Sequence, residues 1–108
     1  MDCIFCKIVA KQVPAKIVYE DDQMLAFHDI NPSAPIHILM IPKQHIESLA
    51  TINAKDSVVL AAMLVRITQI ARDLGLAEKG FRVQTNSGKD GGQVVPHLHW
   101  HLLGGKQL

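Results

Sequence analysis

The sequence predicts an α+β domain, in which a five-stranded, mainly antiparallel sheet carries one long helix and a short N-terminal helix. Three observations carry that prediction. Short apolar segments of strand length recur between turn-forming residues, one stretch from Asn53 to Leu74 has helical periodicity, and residues 97–103 alternate strictly as His-Leu-His-Trp-His-Leu-Leu. The 108 residues are 48% hydrophobic and 19% charged, a globular composition whose single core is feasible but small. A metal site or a second copy of the chain would reinforce it.

Each element follows from local chemistry. Ile4, Phe5, Ile8 and Val9 have helical spacing, so Cys3 to Ala10 reads as a short helix that ends near Val13-Pro14. Ile17-Val18-Tyr19 is a strand, Glu20-Asp21-Asp22 a polar turn, and Met24 to His28 the second arm of a hairpin. Asn31 to Pro35 is a loop, and Ile36 to Ile41 a third strand that Pro42 ends. The long helix has Asn53 as N-cap and Gly75 just beyond its end. Leu60, Met63, Leu64, Ile67, Ile70, Ala71 and Leu74 form its core stripe. Val58, Ala61, Ala62 and Val65 form a second stripe, which points to a homodimer partner as readily as to ordinary exposed surface. Phe81 to Thr85 is a fourth strand, Asn86 to Gln93 a glycine-rich loop, and His97 to Leu103 the fifth strand.

Composition excludes several functions. Eleven Lys and Arg against ten Asp and Glu leave a formal charge of +1, so no broad basic patch exists to hold a nucleic-acid polymer. A phosphate, if bound, is bound by individually placed donors. No apolar run approaches the ~20 residues of a membrane span, and the first residues lack the features of a secretory signal. The expected location is therefore cytoplasmic, with no membrane partner. In a reducing compartment, Cys3-x-x-Cys6 favours a metal or redox role over a structural disulfide.

Six histidines in so short a chain demand explanation. Alternation places His97, His99 and His101 on one strand face, and Leu98, Trp100 and Leu102 on the other. Three imidazoles in register are poor packing residues, because each brings a donor and an acceptor to satisfy. A flat strand separates the first from the third by ~13 Å, too far for all three to ligate one ion. Nucleophilic and acid–base catalysis is the better use of the row.

The run His97-Leu98-His99-Trp100-His101-Leu102-Leu103 resembles the His-φ-His-φ-His-φ-φ signature of the histidine triad (HIT) nucleotide-binding proteins. The similarity extends over essentially all of residues 1–108, read as a single HIT domain. Ile4-Phe5-Cys6-Lys7-Ile8, Ala26-Phe27-His28-Asp29-Ile30-Asn31-Pro32, Ile41-Pro42-Lys43-Gln44-His45-Ile46 and Gly91-Gly92-Gln93 look like the Hint branch. The resemblance implies hydrolysis of purine nucleoside phosphoramidates through a nucleotidyl-histidine intermediate, by a homodimer with no organic cofactor. The alternatives are a dinucleoside-polyphosphate hydrolase of a neighbouring branch, or a nucleotide-binding regulatory module.

By that match His99 is the nucleophile, His101 contacts the phosphate and leaving group, and His97 and His37 support them. Asn86, Gly92, Gln93 and Val94 steady the phosphate, and Asp29 takes the ribose hydroxyls. Phe5, Ile8, Phe27, Ile30 and Leu39 line the base pocket, while His28 is a bystander. Several relatives have a serine where this chain has Val94, which bears on the leaving group. Some relatives with the N-terminal cysteine pair hold a structural zinc, and the matching residues here are Cys3, Cys6, His45 and His97. His97 thus has two claims on it.

Overall fold

A computed structural model describes residues 3–108. Five strands, β1 (Ile17–Glu20), β2 (Met24–His28), β3 (Ile36–Pro42), β4 (Arg82–Gln84) and β5 (Trp100–Gly104), form one sheet in the order β1-β2-β3-β5-β4. Every neighbouring pair is antiparallel. Helix α1 (Ile4–Val9) covers one face and helix α2 (Ser57–Asp73) the other.

Period-two alternation sorts the strand residues between the two layers. Met24, Ala26, Ile38, Met40 and Leu102 face α2, where they pack with Met63, Ile67, Ile70 and Ala71. Leu25, Phe27, Leu39 and Ile41 face α1, where they meet Cys3, Phe5 and Ile8. The central strand β3 is buried on both sides, which accounts for its unbroken apolar run Ile38-Leu39-Met40-Ile41.

Element ends differ from the sequence expectation for identifiable reasons. Asn53 does cap, but it caps a 3-10 turn over Ala54–Asp56, which then leads into α2. Asp56 returns a bond to the Asn53 main chain, so the reciprocal pair holds the chain in the tighter turn. At the other end Gly75 has φ +78°, with Leu76 N–H bonded to Ala71 O and Gly75 N–H to Arg72 O. That pattern stops the helix and folds buried Leu76 back onto the core. The predicted core stripe of α2 is narrower than expected: Leu64 and Leu74 are exposed, as are Val58 and Val65 of the second stripe.

The largest correction concerns the last strand. The ladder begins at Trp100, not His97. Residues 97–99 are drawn out of it, because His97 N–H bonds back to Val95 O and Leu98 N–H bonds to Ile46 O at 2.6 Å. Pro96, which has no N–H to offer a ladder, precedes them.

Ile67 is fully buried between α2 and the sheet, and its loss leaves a cavity. Ile67→Ala is expected to lower unfolding free energy by about 2–5 kcal/mol, read as a lower urea midpoint at unchanged slope. A midpoint within error of wild type would contradict the packing described.

Candidate active site and metal centre

Odd-numbered residues of the histidine segment point to the α1 face. Phe5 shows this, because its ring meets His97 and His99 edge-on, with centroids 5.9 and 5.1 Å away. His99 and His101 are neighbours at 5.0 Å. Beyond them the segment divides between two clusters, His97 joining Cys3, Cys6 and His45, and His101 joining His37 and Asp29. The strand spacing that forbids three histidines on one ion thus serves two separate groups.

Hydrogen bonds fix the ring protons. His99 Nδ1 lies 2.7 Å from the His97 main-chain oxygen. A carbonyl only accepts, so Nδ1 carries the proton and Nε2 is left with a free lone pair. The ring is buried, and burial, above all, pushes its pKa down from the ordinary histidine value. A neutral imidazole with a bare Nε2 is a nucleophile near pH 7. Thr85 Oγ1 donates to the His99 carbonyl at 2.7 Å and holds the main chain behind the ring.

A second chain of bonds sets His101. Ser33 N–H donates to His37 Nδ1 at 3.0 Å, so the His37 proton is on Nε2. That nitrogen lies 2.9 Å from His101 Nδ1 and 3.4 Å from Asp29 Oδ2. His101 Nδ1 accepts, which leaves the His101 proton on Nε2. Burial first, then neighbouring His99 and His37, lower the His101 pKa to about 4. At neutral pH His99 therefore offers a lone pair beside a ring that offers an N–H hydrogen-bond donor.

His97, on the same face, carries its proton on the opposite nitrogen from His99. Its Nε2–H donates to Pro42 O at 2.8 Å, leaving Nδ1 unprotonated towards the sulfurs. Cys3 Sγ is 3.3 Å and Cys6 Sγ 3.6 Å from that nitrogen, and Cys6 Sγ is 3.2 Å from His45 Nδ1. The four donor atoms lie within 4.8 Å of one another. Tetrahedral zinc, with bonds of about 2.3 Å to sulfur and about 2.0 Å to nitrogen, holds its ligands about 3.5 Å apart. A second imidazole nitrogen that donates to a carbonyl is also the usual support of a metal-bound histidine. The donor set fits a closed zinc site.

Phe5, Ile8, Phe27 and Leu39 gather in the core layer beneath α1. Ile30 is not with them; it is 91% exposed and borders an open groove of about 650 Å³ with Pro14, Ala15, Lys16, His28 and Asp29. In the glycine-rich loop, Asn86 Nδ2 donates to Gly91 O, and the Gly92 and Gln93 N–H groups close turns onto Lys89 O and Gly88 O. Gln93 ties the loop down through its side chain, accepting from Gly88 N–H and donating to Glu47 O and Val95 O. Of the three loop amides expected at a phosphate, that of Val94 has no hydrogen-bond partner among the described residues, and its side chain is 90% exposed. Sequence reasoning missed the main-chain groups, namely the carbonyls of His97 and Pro42 and the Ser33 N–H. No side-chain identity announces them.

Residues 10–108 match the family model of the HIT domain. The chain belongs to the HIT family. It is 50% identical over 103 residues to the protein HitA of Neisseria gonorrhoeae, covering 95% of each chain. Purine nucleoside phosphoramidase of Escherichia coli K12 is 43% identical over 107 residues, which cover 99% of this chain and 90% of that one. Among solved structures, a HIT family hydrolase from Legionella pneumophila superimposes with a TM-score of 0.96 at 48% identity, covering 98% of this chain and 95% of that one. A histidine triad protein from Clostridium difficile gives a TM-score of 0.96 at 52% identity, covering 100% and 94%. The HIT histidine signature is thus the segment that builds both clusters.

The depressed His101 pKa has a consequence for stability. Between pH 6.5 and 4 the unfolded chain binds a proton on this ring and the native chain does not, so stability falls as the solution is acidified through that window. His101→Gln is expected to flatten the acid limb of unfolding free energy by up to about 1.4 kcal/mol per pH unit. Denaturant titrations at several pH values measure it. Superimposable slopes for the two proteins would show that His101 is not held neutral.

Proposed function

We propose that the protein hydrolyses purine nucleoside phosphoramidates, in which a nucleoside monophosphate is joined through phosphorus to an amine. The observation that carries this reading is the proton arrangement, a bare His99 Nε2 beside a His101 ring protonated on Nε2. Such a pair suits displacement at phosphorus, with the nucleophile supplied by one ring and a hydrogen-bond donor on the leaving-group side by the other. The likeness to purine nucleoside phosphoramidase of E. coli supports the choice of leaving group.

In the reaction, His99 Nε2 forms a bond to phosphorus as the phosphorus–nitrogen bond breaks. The His101 Nε2–H bonds the phosphate on the leaving-group side, and the amine departs on a nitrogen that has taken its proton from solvent. Water then attacks the nucleotidyl-His99, giving its proton back to solvent and releasing the nucleoside monophosphate. His97 and His37 hold the two rings in orientation. The Val94 N–H, with Asn86, Gly92 and Gln93 shaping the loop, steadies the phosphate oxygens as charge develops. Asp29 binds the ribose hydroxyls, and the purine lies in the groove that Ile30 borders, with buried Phe5, Ile8, Phe27 and Leu39 behind it.

Two further features belong to the same reading. Cys3, Cys6, His45 and His97 bind zinc as a structural ion, supported by the four-donor geometry. A second copy of the chain covers the exposed Val58 and Val65 of α2, giving a homodimer.

Turnover of an adenosine phosphoramidate tests the assignment. His99→Ala is expected to lose at least about 10³-fold in kcat with nucleotide binding retained. A variant as active as wild type would remove His99 from the reaction. Faster turnover of a diadenosine polyphosphate would move the enzyme to the neighbouring HIT activity, and binding of both without turnover would make it a nucleotide-binding module.

A further inference from the structure

The cysteine–histidine centre and the reacting histidines share parts. His97 belongs to both, since its ring Nδ1 faces Cys3 and Cys6 while its main-chain oxygen takes the His99 Nδ1 proton. Both are restrained, so a shift of the residue moves ring and carbonyl together. The ring is fixed at its far side by Pro42 O, and the main chain by bonds from His97 N–H to Val95 O and from Leu98 N–H to Ile46 O.

Helix α1 makes a second connection. Cys3 is its N-cap, accepting from the Cys6 N–H, and Cys6 lies one turn along. Phe5, between the two cysteines, sets its ring edge against both His97 and His99. His45, the remaining donor, packs edge-on against the His97 ring at 4.8 Å. As thiol–imidazole contacts these sulfur–nitrogen pairs are weak hydrogen bonds at 3.2–3.6 Å. Four ligand bonds to one ion would convert them into a rigid frame.

We propose that the Cys3–Cys6–His45–His97 centre is a positioning device for His99, so that metal occupancy sets how well the reacting ring is held. With the four donors gathered on one zinc ion, the His97 carbonyl and the Phe5 ring lock His99 in the form protonated at Nδ1. With the donors released, both supports loosen together and the ring samples the other tautomer, whose Nε2 is not nucleophilic. This rests on the zinc and hydrolase readings given above, and it adds control of one by the other. A zinc that only staples α1 to the sheet would alter stability and leave His99 unchanged in the molecules that remain folded.

The test is imidazole nitrogen NMR of ¹⁵N-histidine-labelled protein at one fixed pH, alongside metal analysis and kcat. The protein is compared as zinc-loaded, as chelated, and as chelated then given Zn²⁺ back. One zinc per chain is expected in wild type and much less in Cys3→Ser/Cys6→Ser. In the loaded form His99 should show one tautomer, protonated at Nδ1. Chelation should average its two nitrogens and lower kcat by about tenfold, and Zn²⁺ should restore both. If chelated protein unfolds, exchange of Zn²⁺ for the larger Cd²⁺ keeps the frame while lengthening its bonds. The His99 nitrogens should then shift, with the methyls of Met63 and Ile67 unmoved. Stoichiometric zinc with His99 resonances indifferent to chelation and to Cd²⁺ would overturn the positioning role and leave the zinc reading intact. Wild-type protein that takes up no zinc would overturn both, and the metal analysis distinguishes the two failures. The NMR readout does not depend on substrate, so failure of the hydrolase reading would appear separately in turnover.

Discussion

The 2.7 Å hydrogen bond from His99 Nδ1 to the His97 carbonyl decides which edge of the His99 ring carries a lone pair, and the proposed chemistry is built on that choice. The bond is possible because residues 97–99 are not part of the sheet ladder. Continued pairing would have aimed their main-chain groups at neighbouring strands. Instead Leu98 N–H takes Ile46 O, and the His97 carbonyl turns to the ring two residues on. A buried carbonyl needs a donor and a buried imidazole needs an acceptor, so each satisfies the other.

The remaining histidines are arranged by the same economy of protons. Ser33 N–H fixes His37, His37 fixes His101, and the Pro42 carbonyl fixes His97. Burial leads the downward shifts of His97, His99 and His101, and for His101 the neighbouring rings add to it. With His97, His99 and His101 held neutral, the proposed reaction needs no basic surface on a chain of net charge +1. The lone pair on His99 and the N–H donor on His101 take the place of lysines and arginines.

Much of this was legible in the sequence, and the boundary of legibility is physical. Period-two alternation placed His97, His99 and His101 on one face, because side-chain direction depends only on position along an extended chain. The alternation survives in residues 97–99 although they leave the ladder. The Cys3-x-x-Cys6 spacing flagged a metal site, and the family resemblance supplied His45 and His97 to complete a set that the fold brings together. Main-chain acceptors and donors were invisible, since every residue carries them and only tertiary structure aims them. The ladder's late start at Trp100 and the 3-10 entry to α2 were hidden for the same reason, because both turn on where backbone bonds go. Burial of Phe5, Ile8, Phe27 and Leu39 together follows from their places on α1, β2 and β3. Ile30 stands apart because it lies just past the end of β2, where no strand or helix covers it.

The claim that the His97 carbonyl turns His99 into the nucleophile is tested most directly by capturing the covalent intermediate. Wild-type protein mixed with an adenosine phosphoramidate is quenched within one turnover, digested, and analysed by mass spectrometry. The account predicts a single adenylyl group on the peptide spanning residues 97–103, attached to His99 and stable to base but labile to acid, as a phosphorus–nitrogen bond is. An adenylyl group on His101 or His97, or product formed in the first turnover with no protein-bound nucleotide, would contradict it.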